Sequence, residues 1–432
     1  MFALVPILAQ MATTLAVGDR TEVRARFDEY AGTADAATTP YGSVNFASKR
    51  ESLTLRYSPW LTLSVVPGSD DRIVTVFHTA QVIGQLRLRR AVFTVSETAD
   101  YGTRNFVVDA YGDRSLGNAP PPTGAPAAAP GTATPGTGTP GTGTPTPGTG
   151  TPGTGTSGTG SVTRPTVAAR PFTVRYADLI TQANVTYALS KRSSAGAFFR
   201  YVVAGGLDEE SRAAYPTIYN PSLGVFYGYT IDKRSSVGST LQSSYSTSAL
   251  GIQTYTADFN LAYRYRFTKA LGVALGGGIG YARIVYADGQ VLEYIYLTAG
   301  TGAGIGVEYT TKLYGGILTL YARFGYTPTL DQVSAVLDPR LGWAVGASWR
   351  RRSLSLYANL SSTISVKQTS QGSLDAFYAT MGASYVLGAG FVGDIGARGV
   401  WQAFEGTTTV PASAVLFAGL SWGASTTLGG RR

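Results

Sequence analysis

The sequence has no cysteine, which excludes a disulfide framework, a thiolate metal site and a cysteine nucleophile. It has one histidine, His78, too few for a histidine-based metal centre. Charge is scarce, at 14% of residues against roughly 25% in an ordinary soluble domain. Long apolar runs are missing as well: no stretch of about 18 uncharged apolar residues occurs, which excludes a transmembrane helix but not a membrane-spanning strand. No helical apolar period of useful length is present either. A chain of 432 residues is therefore expected to build its structure from strands.

What is abundant is glycine, with 54 residues, and tyrosine, with 27, alongside many Ser and Thr. The formal charge of +9 favours anionic partners without choosing among them. The dominant pattern has period two. In TYTADFNLAYRYRF, residues 254–267, Tyr255, Ala257, Phe259, Leu261, Tyr263, Tyr265 and Phe267 fall on one face, and Asp258, Asn260, Arg264 and Arg266 on the other. SLGVFYGYTI (222–231), LGWAVGASWR (341–350), EVRARF (22–27), GQLRLR (84–89) and LTLYARFGY (318–326) repeat it. Nearly every segment reads as an alternating strand.

Two kinds of connection take turns between these strands. Short ones carry Lys or Arg, at 49–50, 89–90, 191–192, 233–234, 269, 312 and 350–352, with the uncharged 388–390 as the eighth. Nine longer ones fall at 31–41, 66–71, the Pro/Gly segment, 206–217, 248–252, 287–292, 329–339, 367–373 and 405–410. Together they imply about 18 antiparallel strands with both ends of the chain on the short-turn side, or 16 if the weak strand at 42–48 is discounted. The organisation that follows is an apolar, signal-like segment at 1–19, a first part of the barrel at 20–102, a Pro/Gly/Thr-rich excursion at 103–171, the remainder at 172–426 and a tail at 427–432. Residues 1–19 combine an apolar run with small residues at its end but lack a basic start, so an ordered apolar arm is the alternative. The excursion, with its TPGTG repeats, offers almost nothing to bury and is expected to stay extramembrane and unstructured.

A soluble sheet buries its apolar face, and this many strands would need helices or a second layer to cover them. A closed barrel in the outer membrane instead turns the apolar face to lipid and leaves no edge unpaired in hydrocarbon. The aromatics near strand ends, among them Phe324, Trp343, Trp349, Trp401 and Trp422, then form the interfacial girdles. The fold expected is an all-β, antiparallel transmembrane barrel, integral to the outer membrane among its lipid and lipopolysaccharide.

Parity places Arg24, Arg26, Arg56, Arg87, Arg89 and Arg175 inside, and likewise Arg200, Arg264, Arg266, Arg323, Arg350 and Arg398. The carboxylates assigned to the lumen are Glu22, Asp28, Asp178, Asp258, Glu308 and Asp394. Excess inward arginine favours anions; for any single arginine, pairing with an inward carboxylate is an equally good account. Inward Tyr357, Trp60 and Phe226 are candidates for stacking on sugar rings, although wall packing is the commoner role. The glycine runs GGGIG (276–280) and GTGAGIG (300–306) continue strands and open no helix, so they are not phosphate loops. His78 sits on the apolar parity, as an interfacial rather than a catalytic residue. No enzymatic chemistry, cofactor, metal or nucleic-acid partner is expected.

The short turns SKRSS (190–194) and DKRSS (232–236), YSPWLTL after the second short hairpin, and GGLDEESRAAYP in a long loop give the chain a style that resembles the large outer-membrane barrels of myxobacteria. Within that group it resembles the porin-like partners of periplasmic polysaccharide-export proteins. The resemblance implies export of an exopolysaccharide, an acidic one given the arginines, with a periplasmic export protein docked at the basic short turns. A general anion-preferring porin, or a structural or adhesive surface barrel, are the alternatives.

Because there is no native thiol, single cysteines report the two faces cleanly. A cysteine replacing Arg264 or Arg266 is expected to react with a water-soluble maleimide in outer-membrane vesicles, and one replacing Phe259 to stay unlabelled.

Overall fold

The structure, a computed structural model, describes residues 12–27, 32–65, 72–105, 173–214, 216–249, 251–298, 304–331, 336–365, 374–404 and 410–428. The first strands are β1 (Ala12–Phe27), β2 (Gly32–Thr38), β3 (Tyr41–Ala47), β4 (Glu51–Val65), β5 (Arg72–Arg87) and β6 (Ala91–Asn105). After the Pro/Gly-rich segment, which lies outside the described residues, come β7 (Thr173–Ala188), β8 (Ser193–Gly206), a short helix α1 (Glu209–Ala214), β9 (Ile218–Thr230), β10 (Ser235–Ser248), β11 (Gln253–Arg266) and β12 (Leu271–Val285). The chain continues through β13 (Val291–Thr298), β14 (Gly304–Leu313), β15 (Gly316–Asp331), β16 (Val336–Arg351), β17 (Leu354–Ser365), β18 (Leu374–Gly388), β19 (Phe391–Phe404) and β20 (Val410–Leu428).

Two pairs of these segments make one wall strand each. Segments β2 and β3 pair with β1 in a single register, Thr21 opposite Thr38 and Ala12 opposite Ala47, interrupted only at Thr39 and Pro40. Segments β13 and β14 both pair with β12, where Gly278 faces Thr298 and Gly276 faces Gly304. The wall is thus an antiparallel ring of 18 strands. It closes where β1 pairs with β20, from Thr13 opposite Leu428 to Phe27 opposite Ala414. That closure satisfies the backbone groups that would otherwise be left in hydrocarbon. The strand number matches the sequence pattern, and the first and last described residues, Ala12 and Leu428, lie at the short-turn mouth as expected of the chain ends.

The two faces separate as the alternation requires. Val23, Val74, Leu223, Phe259, Ile279, Ile295 and Leu416 point outward and are exposed on the isolated barrel, an apolar belt that only lipid can cover. Aromatics pair within it: Tyr265 meets Phe267 edge-on at 4.8 Å at the short-turn rim, Trp343 lies 6.0 Å from Phe377, and His78 stacks between Tyr57 and Tyr101. The protein is an integral outer-membrane β-barrel.

Inward aromatics settle over glycines of the neighbouring strand. A Cβ on Gly224 would strike the Phe198 ring, one on Gly196 the Phe226 ring, one on Gly280 the Tyr296 ring, and one on Gly346 the Tyr321 ring. Glycine is required at these seats because the ring lies flat against the wall where a side chain would stand.

Several boundaries differ from the sequence reading. The loop expected at 31–41 is mostly strand, because Ala34, Ala36 and Thr38 alternate against β1 and carry it through to β4. Residues 12–19 of the signal-like segment run as the first half of β1, and residues 1–11 lie outside the described residues. The loop expected at 329–339 is a longer hairpin, in which Pro328 faces Pro339. Lys312 is in β14; the turn itself is Tyr314 and Gly315, both at positive φ. The loop at 206–217 contains α1, capped by Asp208, whose carboxylate accepts the Ser211 N–H at 2.8 Å. The Ser211 hydroxyl and backbone bonds hold that carboxyl below the usual range. In DKRSS, the Asp232 carboxylate likewise accepts the N–H groups of Arg234 and Ser235, at 2.6 and 2.7 Å, which closes the turn and lowers its pKa.

At Gly396 an added Cβ would come within 2.5 Å of both the Phe417 ring and the Met381 carbonyl oxygen, whereas at outward Gly399 it would meet only Ala379 at 4.0 Å. Gly396→Val is expected to destabilise the barrel by about 2 kcal/mol and Gly399→Val to leave it unchanged, as read by heat-modifiable migration and urea midpoints in lipid vesicles.

Candidate functional site: the inner wall

The inward arginines fall into two groups. On the closing seam, Arg20 reaches both Glu22 at 3.0 Å and Asp394 at 3.1 Å, and Arg24 reaches Glu22 at 2.8 Å. Glu22 and Arg24 are 1% and 2% exposed. Gly419 makes this cluster possible, since a Cβ there would stand 2.9 Å from Asp394. Asp35, 2% exposed, lies opposite Arg24 in the ladder. Here Arg20 and Arg24 stiffen the wall by holding Glu22 and Asp394, while both Asp35 oxygens are buried without a hydrogen-bond partner.

Other inward arginines lie over rings, stand in water or sit inside the wall. Arg56 lies over the Tyr41 ring at 5.2 Å, Arg323 over Tyr321 at 5.6 Å, and Arg398 over Phe417 at 4.8 Å. A guanidinium resting on a ring keeps its full charge. Arg264, Arg266 and Arg350 stand at the short-turn ends of β11 and β16, exposed, on inward parity. Arg87 also faces inward at the end of β5 and is tied to Gln85 at 2.9 Å. Arg200 sits inside β8, level with Gln182.

Other residues are placed differently from the expectation. Arg89 belongs to the turn between β5 and β6, at the rim rather than in the wall. Arg175 has outward parity and donates to the Tyr101 hydroxyl at 3.4 Å, beside the girdle. Arg26 follows Arg24 in β1, but its side chain is outside the described residues, as is all of Asp28. Among the carboxylates, Asp258 accepts from the Tyr296 hydroxyl at 2.8 Å, Glu308 faces the lumen across from Tyr321, and Asp178 is inside β7. Tyr357 covers Gly382 and Phe226 covers Gly196, so both serve the wall. Trp60 faces inward beside Phe77. His78 is outside, 2.6 Å from the Tyr57 hydroxyl. Among the described residues no group of metal-binding side chains is found.

Arg20, Asp35 and Tyr41 were not expected to line the lumen. Arg20 shares the parity of Glu22 and Arg24, but the signal-like reading of 1–19 cut the strand just before it. Asp35 and Tyr41 were concealed by taking 31–41 as a loop.

No known family profile and no curated protein matches the sequence. Among solved structures, the chain is similar to OccAB4 of Acinetobacter baumannii, at 8% identity and a TM-score of 0.45, covering 97% of this chain and 100% of that one. It is similar to opdK, an outer membrane protein of Pseudomonas aeruginosa, at 10% identity and a TM-score of 0.45, covering 96% and 99%. A third likeness is to the FrpB iron transporter of Neisseria meningitidis, at 8% identity and a TM-score of 0.48, covering 90% of this chain and 62% of that one. At these values none of them bears on what passes through this barrel; its architecture rests on its own hydrogen-bond ladder.

Removing the Arg20 guanidinium leaves Asp394 without its ion pair and Glu22 with one partner fewer. Arg20→Met is expected to cost about 2–3 kcal/mol, and the double variant Arg20→Met/Asp394→Asn to recover part of the loss, in urea unfolding of the vesicle-inserted barrel.

Proposed function

We propose that the barrel is an outer-membrane conduit for anions, and specifically for an acidic exopolysaccharide passed to it by a periplasmic export protein. The observation that carries this reading is the second group of arginines: Arg56 and Arg323 rest on rings and Arg264, Arg266 and Arg350 face water, none of them bound to a carboxylate among the described residues. Fixed positive charge on the wall raises the local concentration of anions and lowers that of cations. A barrel of 16 to 18 strands is wide enough for an aqueous channel. The short turns add Lys49, Arg50, Arg90, Arg192, Arg234 and Lys269 around the mouth where both ends of the chain lie, a rim suited to an acidic polymer or to the acidic face of a docked protein. The lipid belt and girdles support a surround of outer-membrane lipid and lipopolysaccharide.

A second reading, an anion-preferring diffusion porin, is favoured by the spread of the unpaired arginines over β4, β11, β15 and β16, which suits many small solutes as well as one chain. Both predict anion selectivity. In planar bilayers with a salt gradient, the reversal potential is expected to show anion preference, reduced in Arg264→Gln/Arg266→Gln. Absence of current from the purified barrel overturns the conduit. Deletion of the gene with normal surface polysaccharide overturns export and leaves the porin.

A further inference from the structure

Phe198 and Phe226 lie side by side on the inner wall, and their arrangement is reciprocal. In the ladder between β8 and β9, Gly196 pairs with Phe226 and Phe198 with Gly224, and each ring covers the glycine across from it. The two positions are diagonal neighbours, roughly 7–8 Å apart. One face of each ring is taken up by its glycine seat. The other is turned to the lumen, and both side chains are half-buried. Other inward rings are committed elsewhere: Arg56 lies over Tyr41, Arg323 over Tyr321, Tyr296 donates to Asp258, and Phe77 and Phe417 are each 5% exposed.

The side chains on either side of the pair are polar and uncharged. On β7, Asn184 is opposite Phe198 and Gln182 opposite Arg200; on β10, Thr240 is opposite Phe226 and Gln242 opposite Gly224. The Asn184 carbonyl oxygen accepts from Thr186 at 3.3 Å, which leaves its amide N–H groups to the lumen. Gln182, Thr240 and Gln242 make no side-chain hydrogen bond among the described residues. The nearest inward charge on β8 is Arg200, and it has Asp178 of β7 as its charged neighbour.

A pyranose has an apolar face of C–H bonds and an edge of hydroxyls that both donate and accept. Flat rings bordered by amides and a hydroxyl meet both at once. Water satisfies the amides equally well but gains nothing from the ring faces, so the apolar surface is what favours a sugar over solvent. Resting on the conduit reading, we propose that Phe198 and Phe226 form a carbohydrate-binding platform, on which sugar rings of the passing polysaccharide stack while Gln182, Asn184, Thr240 and Gln242 take their hydroxyls. The platform lies in the half of the barrel nearest the short turns, Phe198 being the sixth residue of β8 and Phe226 the fifth of β9 from that end. The arginines select the chain by its charge and the platform holds its neutral rings, so the two contributions separate by experiment.

The test uses the full chain in planar bilayers, with maltohexaose as a neutral probe and hexagalacturonate as an acidic one. Both are expected to interrupt the ion current. In Phe198→Ala/Phe226→Ala the concentration of either saccharide that halves the current is expected to rise by about tenfold, with the reversal potential unchanged, and Phe198→Tyr/Phe226→Tyr is expected to keep the block. Heat-modifiable migration confirms each folded barrel. Gln182→Ala/Gln242→Ala, which leaves both glycine seats covered, is expected to weaken the block by about threefold and decides the matter if the alanine pair does not fold. Block that these variants leave unchanged lies elsewhere on the wall and overturns the platform, as does a conducting barrel that neither saccharide blocks. Block by benzoate alone, lost in the alanine pair, assigns the rings to aromatic solutes and overturns the carbohydrate reading. Each of these outcomes leaves the anion conduit standing. A folded barrel that carries no current overturns the conduit, and the platform with it.

Discussion

A sheet in hydrocarbon has no solvent for its edges, and each unsatisfied backbone group costs several kcal/mol there. The pairing of β1 with β20 is the one contact that removes both edges at once. The inside-out sequence depends on it. Only a closed wall gives a polar face somewhere to point that is not lipid, so the arginines and carboxylates exist because the ring does. The same seam holds Arg20, Glu22, Arg24 and Asp394, so the strands that close the barrel are also bound by the densest ion-pair cluster among the described residues. Each carboxylate there has a guanidinium at hydrogen-bonding distance, the condition under which buried charge is tolerated.

Glycine and aromatic residues form a second layer of order. Phe198, Tyr296, Tyr321, Tyr357 and Phe417 each lie across a glycine one strand away. The ring covers backbone that a bare glycine would leave exposed and ties two strands without adding bulk to the lumen. Three of the inward arginines then rest on such rings or their neighbours, so the wall packing also sets where positive charge is presented. Composition therefore links to electrostatics: a chain rich in Gly and Tyr can hold arginines flat without neutralising them.

The alternation in TYTADFNLAYRYRF was enough to assign both faces of β11, since a period of two leaves each residue one side only. Strand number followed from counting turns, because basic short turns and polar long loops punctuate the chain regularly. Where the pattern misled, a local signal was responsible. Pro40 and the small residues before it imitate a loop, yet Thr39 keeps its backbone bonds to Arg20 and the strand continues. Arg175 fell on the wrong face because parity was carried across a segment with no strand of its own. Which arginines are paired was not legible at all: Arg20 and Asp394 are far apart in sequence and meet only through closure. Tyr296 over Gly280 was equally hidden, since it depends on the register between β12 and β13.

The wall is interrupted at two places, at Thr39 and Pro40 between β2 and β3, and between Thr298 and Gly304 on the strand shared by β13 and β14. In both, the segments on either side stay paired to the same neighbour; across Thr39 and Pro40 the register is unbroken, whereas from the Gly278–Thr298 pair to the Gly276–Gly304 pair one strand advances six residues against two without changing the circumference of the ring. On the second of these strands the pairing to β12 resumes at Gly304, whose φ of 101° suits glycine. Such a joint works like an expansion gap in masonry. It is a place where the length of one stave can drift over evolution, or be extended by a grafted peptide, while the staves beside it keep their register and the pore keeps its bore.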